Sequence, residues 1–404
     1  MYTCLHLYCR AVVKCTQHCT PVHHYICWSL VCQLTCERVK VSDGSEQGEQ
    51  VCVKNYLLSI LVTVVVYCRE IIRMIKWFLI NLWFKLYLNL IGAIYLVKEQ
   101  ILRRPRTLPS YPSQTGKNIL ITGGGRGIGE QAVKKLIRMG ARVIMGCRSP
   151  ESVKKKFEDT FKDHAVTGSV EVYHLDLMSL SSVKSFAQTI LSLDIPIHVL
   201  INNAGIMFGD RKLTEDGFES QLATNYLGHF LLTHLMLPLL ERTGKDESPT
   251  RIVNVSSCAH YCGSWMDFSD LQLSKVYSPE QAYGNSKAAQ IMFTSHLSSM
   301  MQSKQSNVVV YSVHPGVVYT DLYTNVWWVK IFGLLARLIM KTAEQGGDTV
   351  VHAALDPDII SYKQLYLENC RPGRNSSFTS RLENQAKLWG ISCSLLGIQQ
   401  FGDH

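Results

Sequence analysis

The feature that most constrains the fold of this chain is a regular alternation, after residue 117, of short apolar runs with longer stretches of helical character. Six of these runs are rich in β-branched residues: NILIT (118–122), ARVIMG (141–146), VEVYHLD (170–176), IHVLINN (197–203), RIVNVSS (251–257) and VVVYSVH (308–314). Strands that are apolar on both faces are typical of a parallel sheet that helices cover on both sides. The alternation therefore predicts an α/β fold, a doubly wound parallel sheet of about seven strands with helices on both faces.

The first 106 residues follow a different pattern. Residues 1–50 have no sustained period and are rich in Cys and His, whereas residues 51–106 are strongly apolar. The stretch from Trp77 to Val97 contains one charge, Lys85, and as a helix it would reach about 30 Å, close to the hydrocarbon thickness of a bilayer. We predict that residues 51–106 form a membrane anchor. Two alternatives are a helix that packs on the following domain and a helix that lies in the membrane plane.

Charge and cysteine content restrict the partners of the protein. Of the net charge of +9, most belongs to residues 1–106, which hold 13 Lys and Arg against 6 Asp and Glu. The remainder is therefore not basic enough to indicate nucleic acid as a partner. Nine of the 14 cysteines precede residue 70 without a C-x-x-C pair, so we predict no metal site, and the sparse later cysteines are typical of a reducing compartment.

Composition also suggests the domain boundaries. Residues 1–50 are an extension without an assigned fold, and residues 107–116, rich in Pro, Ser and Thr, are predicted to be a linker. The main globular domain is expected to cover residues 117–375, followed by a C-terminal extension, residues 376–404.

The first predicted strand runs directly into the glycine-rich turn T-G-G-G-R-G-I-G, from Thr122 to Gly129, and then into a helix. Glycines at such a turn let the backbone approach a pyrophosphate, which the helix N-terminus favours electrostatically. The turn therefore predicts a dinucleotide site. Because Gly123, Gly127 and Gly129 are spaced more widely than in G-x-G-x-x-G, a plain glycine turn is the alternative.

Charged residues near the next two strand ends indicate which dinucleotide binds. Arg148 stands where NAD-specific enzymes carry an acidic residue for the ribose hydroxyls, and a positive charge there suits a 2′-phosphate. Together with Arg126 it favours NADP(H), while NAD(H) is left open. Asp176, at the end of the third strand, is a candidate contact for the adenine edge, or simply a turn aspartate.

Two asparagine-containing motifs follow. N-N-A-G, from Asn202 to Gly205, ends the fourth strand, at the sheet edge where ligands of open α/β folds bind. Its small residues would let a cofactor pass close to the backbone. Asn225 lies among apolar residues in N-Y-L-G-H-F and needs a hydrogen-bond partner if it is buried. It is either a site residue or a structural asparagine.

Tyr283 and Lys287 are the residues that suggest a reaction. They are four apart in Y-G-N-S-K, so they share one helical face, and the ammonium is expected to favour the phenolate and lower the pKa of the phenol. A tyrosine of this kind can donate a proton to a carbonyl oxygen or accept one from an alcohol. Ser257, or its neighbour Ser256, could hold that oxygen. An isolated Y-x-x-x-K is common by chance.

The order of these motifs carries more weight than any one of them. Glycine turn, N-N-A-G, helical asparagine, strand-end serine and Y-x-x-x-K follow one another as in the short-chain dehydrogenase/reductase family, which the chain resembles over about residues 117–370. The resemblance implies a Rossmann-type sheet and an NAD(P)-dependent enzyme acting on CH–OH groups. It also implies a catalytic tetrad of Asn225, Ser257, Tyr283 and Lys287.

The same resemblance implies a cofactor site. The segment HPGVVYTDL (314–322) is similar to the family's stretch after the sixth strand, which cradles the nicotinamide amide. The implied cofactor contacts are Gly123, Arg126, Gly127, Ile128, Gly129, Arg148, Asp176, Asn203, Ala204, Gly205, Tyr283, Lys287, Pro315, Gly316, Val318 and Thr320. The 25 residues between Ser257 and Tyr283, and KTAEQGG (341–347), look like the retinol-dehydrogenase-like branch.

The substrate is indicated only by apolar segments. Family members place a substrate-covering lid where this chain has residues 322–341, an apolar stretch with adjacent Trp327 and Trp328. A lid of this kind beside a membrane anchor favours a lipid alcohol or aldehyde of the retinoid or polyprenol type. Alternatives are a sterol or fatty-acyl carbonyl substrate, a non-catalytic cofactor-binding regulatory protein, and a lid that packs on a second subunit of a homo-oligomer.

Basic residues suggest how the protein is oriented. Basic residues flank both ends of the predicted anchor, three before Trp77 and four between Lys98 and Arg106, so the opposite orientation stays open. The four that follow the anchor favour a catalytic domain on the cytoplasmic side of the endoplasmic reticulum or of a lipid droplet. The N-S-S sequence at Asn375 is then expected to carry no glycan.

Overall fold

The computed structural model describes residues 46–102, 108–162, 166–323 and 326–403. The Cys- and His-rich extension therefore lies almost entirely outside the described residues. The chain divides into two compact units between Leu79 and Ile80. Helix α1 (Glu46–Leu96) contributes to both of them, and a π-helical turn (Val97–Leu102) follows it. By length and composition alone, the stretch Ile60–Gln100 could cross a membrane.

The second unit is built on one sheet, which in the described part of the chain has eight strands. They are β1 (Asn118–Thr122), β2 (Arg142–Cys147), β3 (Ser169–His174), β4 (Val199–Asn202), β5 (Thr250–Val255), β6 (Val308–His314), β7 (Tyr366–Glu368) and β8 (Arg371–Pro372). Their order is β3-β2-β1-β4-β5-β6-β7-β8, and every neighbouring pair is parallel except β7 and β8. The predicted doubly wound parallel sheet is confirmed.

Helices connect the strands and cover both faces of the sheet. The longer ones are α2 (Gly127–Arg138), α3 (Pro150–Phe161), α4 (Leu180–Ser192), α5 (Gly228–Thr243), α6 (Pro279–Ser303), α7 (Trp327–Ile331), α8 (Gly333–Ile339), α9 (Ala343–Leu355) and α10 (Leu382–Leu396). Local sequence sets where several begin. The Ser278 side chain accepts the Gln281 N–H before α6, with Pro279 as the first helical residue, and Thr342 and Gln345 form a capping box at α9.

The strands alternate their side chains between two cores, as the pleat requires. Leu120 and Ile144 face the core that includes α4, α5 and α6, whereas Ile119 and Val143 face the core formed with α2 and α9. Both cores are fully buried at these positions, which explains why the strands are apolar throughout.

The last residues of the chain belong to the first of these cores. In α10, Leu388 is buried, and Trp389 stacks on Phe293 of α6 at a centroid distance of 6.0 Å. The Ser392 hydroxyl is hydrogen-bonded to Tyr226 at 2.8 Å. Helix α10, which lies in the predicted C-terminal extension (376–404), thus packs as part of the globular domain.

From Ile80 onward, one face of α1 packs within the second unit. Phe84, Ile91 and Tyr95 are buried with Val329 and Ala336 from the segment after β6. Trp265 packs edge-on against Tyr87, at a centroid distance of 4.9 Å. This contact matches one of the alternatives open from sequence, a helix that packs on the domain.

The opposite face of this part of α1 is exposed and apolar. Leu82, Leu86, Leu90 and Ile94 are all more than two-fifths exposed. Packing on the domain therefore does not account for the apolar character of the whole helix.

Candidate active site

The glycine turn after β1 is held in place by the end of β4. The side-chain amide of Asn203 donates to the carbonyls of Thr122 and Gly123, both at 3.0 Å, and the Thr122 hydroxyl accepts the backbone N–H groups of Asn203 and Ala204. Gly123 has a φ of +68°, and a Cβ there would lie 2.7 Å from the Ala204 Cα. Only glycine fits this position without moving the N-N-A-G strand end.

A cavity of about 390 Å³ opens at this edge of the sheet. Of the 18 residues predicted for the site, 17 line it: Gly123, Arg126, Gly127, Ile128, Gly129, Arg148, Asp176, Asn203, Ala204, Gly205, Ser257, Tyr283, Lys287, Pro315, Gly316, Val318 and Thr320. The exception is Asn225, whose Oδ1 accepts the backbone N–H of Ile206, a residue that lines the cavity. The carboxyl ends of parallel strands bring together residues that are up to about 200 positions apart.

The cavity fits a dinucleotide. Helix α2 begins at Gly127 on the cavity wall, and its N-cap residue, Arg126, makes no side-chain hydrogen bond to the helix, so the first backbone N–H groups remain available to a phosphate. Arg126 and Arg148 are both exposed on the rim. The volume lies in the usual range for a small-molecule site.

Asp176 is a turn aspartate that also lines the cavity. Its carboxylate accepts the backbone N–H of Met178 at 2.9 Å, as a turn aspartate does, and the residue also lines the cavity. The turn hydrogen bond fixes the side chain at the cavity wall.

Asn225 is fully buried and satisfied by protein groups. Its Oδ1 accepts the Ile206 N–H at 2.8 Å, and its Nδ2 donates to the Ile206 carbonyl at 3.0 Å and to the Ser286 hydroxyl at 2.9 Å. A Cβ on Gly205 would lie 3.3 Å from Asn225 Oδ1 and 3.5 Å from Lys287 Nζ. Asn225 and Lys287 therefore converge on the strand end that carries N-N-A-G.

Tyr283 and Lys287 lie one turn apart on α6, with both side chains buried. Lys287 Nζ is 5.6 Å from the centroid of the Tyr283 ring and donates to the Val255 carbonyl at 2.9 Å. Both Ser256 and Ser257 line the cavity. The Ser256 hydroxyl donates to the Lys287 carbonyl, whereas the Ser257 side chain is hydrogen-bonded to Tyr283.

Burial dominates the protonation of this pair. It raises the pKa of Tyr283 above its ordinary value, against the opposing effect of a side-chain hydrogen bond with Ser257. The sequence predicted that the nearby ammonium lowers the pKa of the Tyr283 phenol, and this lowering is not found in the structure. Burial also lowers the pKa of Lys287 to about 8, so its charge is only partly retained at neutral to mildly alkaline pH.

His229 is a site-associated residue that the sequence did not single out. It is fully buried, its Nε2 lies 2.8 Å from the Thr122 hydroxyl, and its Nδ1 lies 3.2 Å from the Asn225 carbonyl. Burial lowers its pKa to about 3, so the imidazole is neutral. It connects the glycine turn to the Asn225 segment. The only sequence signal was a polar residue in an apolar helix.

The loop after β6 forms the remaining wall of the cavity, through Pro315, Gly316, Val318 and Thr320. Lys341, just before α9, holds this loop by its backbone. Its N–H donates to the Val317 carbonyl, and its carbonyl accepts the Tyr319 N–H, both at 2.9 Å.

An apolar cluster that includes residues from the segment after β6 adjoins Tyr283. Met207 and Ala259 are buried against the tyrosine, and Leu88, Phe208, Leu322, Tyr323 and Val326 pack around them. Phe208 meets the Tyr283 ring edge-on, with the centroids 5.4 Å apart. The backbone of Trp327 and Trp328 forms the start of α7, but their side chains lie outside the described residues.

The fold and the cavity together define the class of this protein, a Rossmann-type α/β protein whose dinucleotide site lies at the carboxyl edge of its sheet. The family model for short chain dehydrogenases matches residues 117–328. The chain belongs to the short-chain dehydrogenase family, and it is an oxidoreductase that acts on alcohols with an NAD(P) cofactor.

Individual relatives agree with this assignment. The chain is 37% identical to human polyprenol dehydrogenase, over 76% of this chain and 94% of the relative. It is 38% identical to mouse retinol dehydrogenase 12, over 70% of this chain and 87% of the relative. Among solved structures, an uncharacterized protein from Mycobacterium paratuberculosis is 33% identical with a TM-score of 0.57, covering 73% of this chain and 98% of that one.

Proposed function

We propose that this enzyme is a membrane-associated, NADP(H)-dependent oxidoreductase that interconverts a lipid alcohol of the retinoid or polyprenol type and its aldehyde or ketone. The observation that carries the proposal is the location of Tyr283, which borders the dinucleotide cavity on one side and an apolar cluster on the other. A reactive group between a cofactor site and an apolar surface suits a substrate with one polar alcohol or carbonyl group on a hydrophobic chain.

Each member of the proposed tetrad has a task that its position supports. The Tyr283 hydroxyl donates a proton to the carbonyl oxygen in reduction and accepts it in oxidation, and the Ser257 hydroxyl holds the same oxygen. Lys287, which lies one helical turn from Tyr283, binds the nicotinamide ribose. Asn225 keeps the strand end of Gly205 in register with Lys287. The cofactor, when bound, supplies or accepts the hydride.

The preference for NADP(H) follows from charge. Arg148 and Arg126 provide two exposed guanidinium groups on the rim of the cavity, where a 2′-phosphate would gain charge-assisted hydrogen bonds. NAD(H) lacks that phosphate and would leave both groups solvated.

Membrane association follows from exposed apolar surface in two elements. The outer face of α1 from Leu82 to Ile94 is apolar, and α8 adds Leu334 and Leu338, which are 78% and 74% exposed. The inner faces of α1 and the lid pack together. A lipid surface is the partner that such faces suit, and it would deliver a hydrophobic substrate to the mouth of the site.

We place the enzyme at the endoplasmic reticulum or a lipid droplet, with its catalytic domain facing the cytoplasm. The support is the positive charge that follows the apolar helix in sequence, from Lys98 to Arg106.

The test is a turnover assay on the full chain in detergent or vesicles. All-trans-retinol, a polyprenol, a sterol and a long-chain alcohol are compared with both oxidised cofactors. We expect turnover of a retinoid or polyprenol and its loss in Tyr283→Phe. Tyr226→Phe is the matched control, because it removes a buried phenol hydrogen bond to Ser392 away from the cavity. Absence of turnover of any retinoid or polyprenol by the wild type would refute the proposed substrate class.

A further inference from the structure

The N-terminal helical segment reaches the candidate active site through one buried acid. Glu99 lies in the π-helical turn that follows α1 and is only 3% exposed. Its Oε1 is 3.3 Å from His314 Nε2, and its Oε2 is 3.5 Å from Lys341 Nζ. Burying an isolated carboxylate costs free energy, so Glu99 is stable only where His314 and Lys341 surround it. These two partners hold the helical turn at one specific position.

The same carboxylate contacts the backbone of the cavity wall. Glu99 Oε2 accepts the backbone N–H of Val317 at 3.3 Å. The Val317 carbonyl is held from the other side by the backbone N–H of Lys341. Both polar groups of this peptide position are thus fixed, one by Glu99 and one by Lys341. Val317 lies between Gly316 and Val318, two of the residues that line the cavity.

A second connection runs from Glu99 to the loop that carries Ser257. His314 Nδ1 accepts the backbone N–H of Cys258 at 3.2 Å, which leaves the ring proton on Nε2, facing Glu99. The Tyr95 ring packs edge-on against His314 at a centroid distance of 5.1 Å. The strand ends of β5 and β6 are therefore both linked to the helical segment.

We infer that Glu99 is a positioning residue, which through Val317 sets the loop after β6 and makes the N-terminal helical segment part of the cofactor site. The inference rests on the proposed function, because it takes from it that NADP(H) binds in this cavity, where the family resemblance assigns this loop to the nicotinamide. A segment that would otherwise serve only to attach the enzyme to a membrane thereby acts on cofactor binding.

The test compares two residues of the same helical turn in the full-length protein. Glu99→Ala removes the acceptor for Val317, whereas Lys98→Gln removes a neighbouring ion pair with Glu368 of β7. We expect Glu99→Ala to raise the dissociation constant of NADPH about tenfold, as for one lost hydrogen bond to a charged group. Lys98→Gln should stay within about twofold of the wild type, well below the effect of one such bond.

Two further measurements separate positioning from simple loss of stability. Because Glu99→Gln keeps an oxygen that can accept the Val317 N–H, it should restore most of the NADPH affinity although it loses the charge. Saturating cofactor should bring the kcat of Glu99→Ala close to that of the wild type, with the KM for the alcohol unchanged. If Glu99→Ala does not fold, Glu99→Asp replaces it, since its carboxylate is withdrawn from Val317 by one methylene.

The outcomes distinguish the inference from the proposal on which it rests. Equal NADPH affinity of the Glu99 and Lys98 variants, or weaker binding by Glu99→Gln than by Glu99→Ala or Glu99→Asp, would overturn the positioning role. A wild type that binds NADPH but turns over no retinoid or polyprenol would refute the proposed function and leave the affinity comparison intact. A wild type that does not bind NADPH would overturn both.

Discussion

Replacing Asn225 by alanine tests the hydrogen bonds that join the N-N-A-G strand end to α6. The substitution removes three bonds, at 2.8, 3.0 and 2.9 Å, from a fully buried side chain. With roughly 1 kcal/mol for each neutral bond, and about 1 kcal/mol more for a buried Ile206 N–H without a partner, we expect a loss of about 3–4 kcal/mol. In a domain of this size that is a fall in melting temperature of about 6–8 °C.

A double-mutant cycle isolates one of these bonds. Ser286→Ala removes only the partner at 2.9 Å, so the cycle of Asn225→Ala with Ser286→Ala should show a coupling energy of about 1 kcal/mol. Asn285→Ala is the matched control. Asn285 is buried next to Ser286 on α6, and within the described residues its side-chain atoms have no hydrogen-bond partner. Asn285→Ala should therefore lower the stability less than Asn225→Ala does.

The assay is thermal unfolding of the purified wild type and variants, followed by circular dichroism. A change of less than about 2 °C for Asn225→Ala, where three lost bonds should cost several times as much, would refute the reasoning. A coupling energy near zero would equally contradict the hydrogen bond to Ser286.

Gly123→Ala should abolish NADPH binding measured by fluorescence, because its Cβ would lie 2.7 Å from Ala204 at a φ of +68°; retained affinity would contradict the tight turn. Arg148→Glu should lower the preference for NADPH over NADH by about 10- to 100-fold in kcat/KM, and an unchanged ratio would remove Arg148 from the 2′-phosphate site. Burial lowers the pKa of Lys287 from 10.5 to about 8, so between these pH values the unfolded state binds more protons than the folded state. The stability of the wild type should therefore rise with pH across that window relative to Lys287→Met. Parallel pH profiles of the two proteins would contradict this. Finally, Asn375 should show no mobility shift after glycosidase treatment of the cell-expressed protein, since a glycan there would place the domain in a lumen.

Much of the sheet was predictable because its signals are local. A strand such as NILIT is apolar at every position because both faces are covered, and this is visible in five consecutive letters. The glycine turn and the strand-end motifs are also short local patterns. Because the carboxyl ends of parallel strands meet at one edge of the sheet, these motifs are expected to lie close together. Thr320 was assigned to the same site as Gly123 only through the resemblance to the family, and both residues line one cavity in the structure.

The protonation of the site was not predictable in the same way. The four-residue spacing of Tyr283 and Lys287 suggested a lowered phenol pKa, but the structure shows a raised one, because the spacing conveys the charge and not the desolvation. The roles of buried polar residues such as His229 were also invisible, since their partners lie on other elements.

The sequence by itself determined the parallel strands, the glycine turn and the Tyr–Lys pair. Each of these is a pattern among residues only a few positions apart. Only the tertiary structure decided that α1 from Ile80 onward packs against the residues after β6, and that Glu99 enters a buried cluster with His314 and Lys341. The contacts of Glu99 join residues more than 200 positions apart. A buried charge is stable only where its partners converge in space, and no local pattern in the chain specifies that convergence.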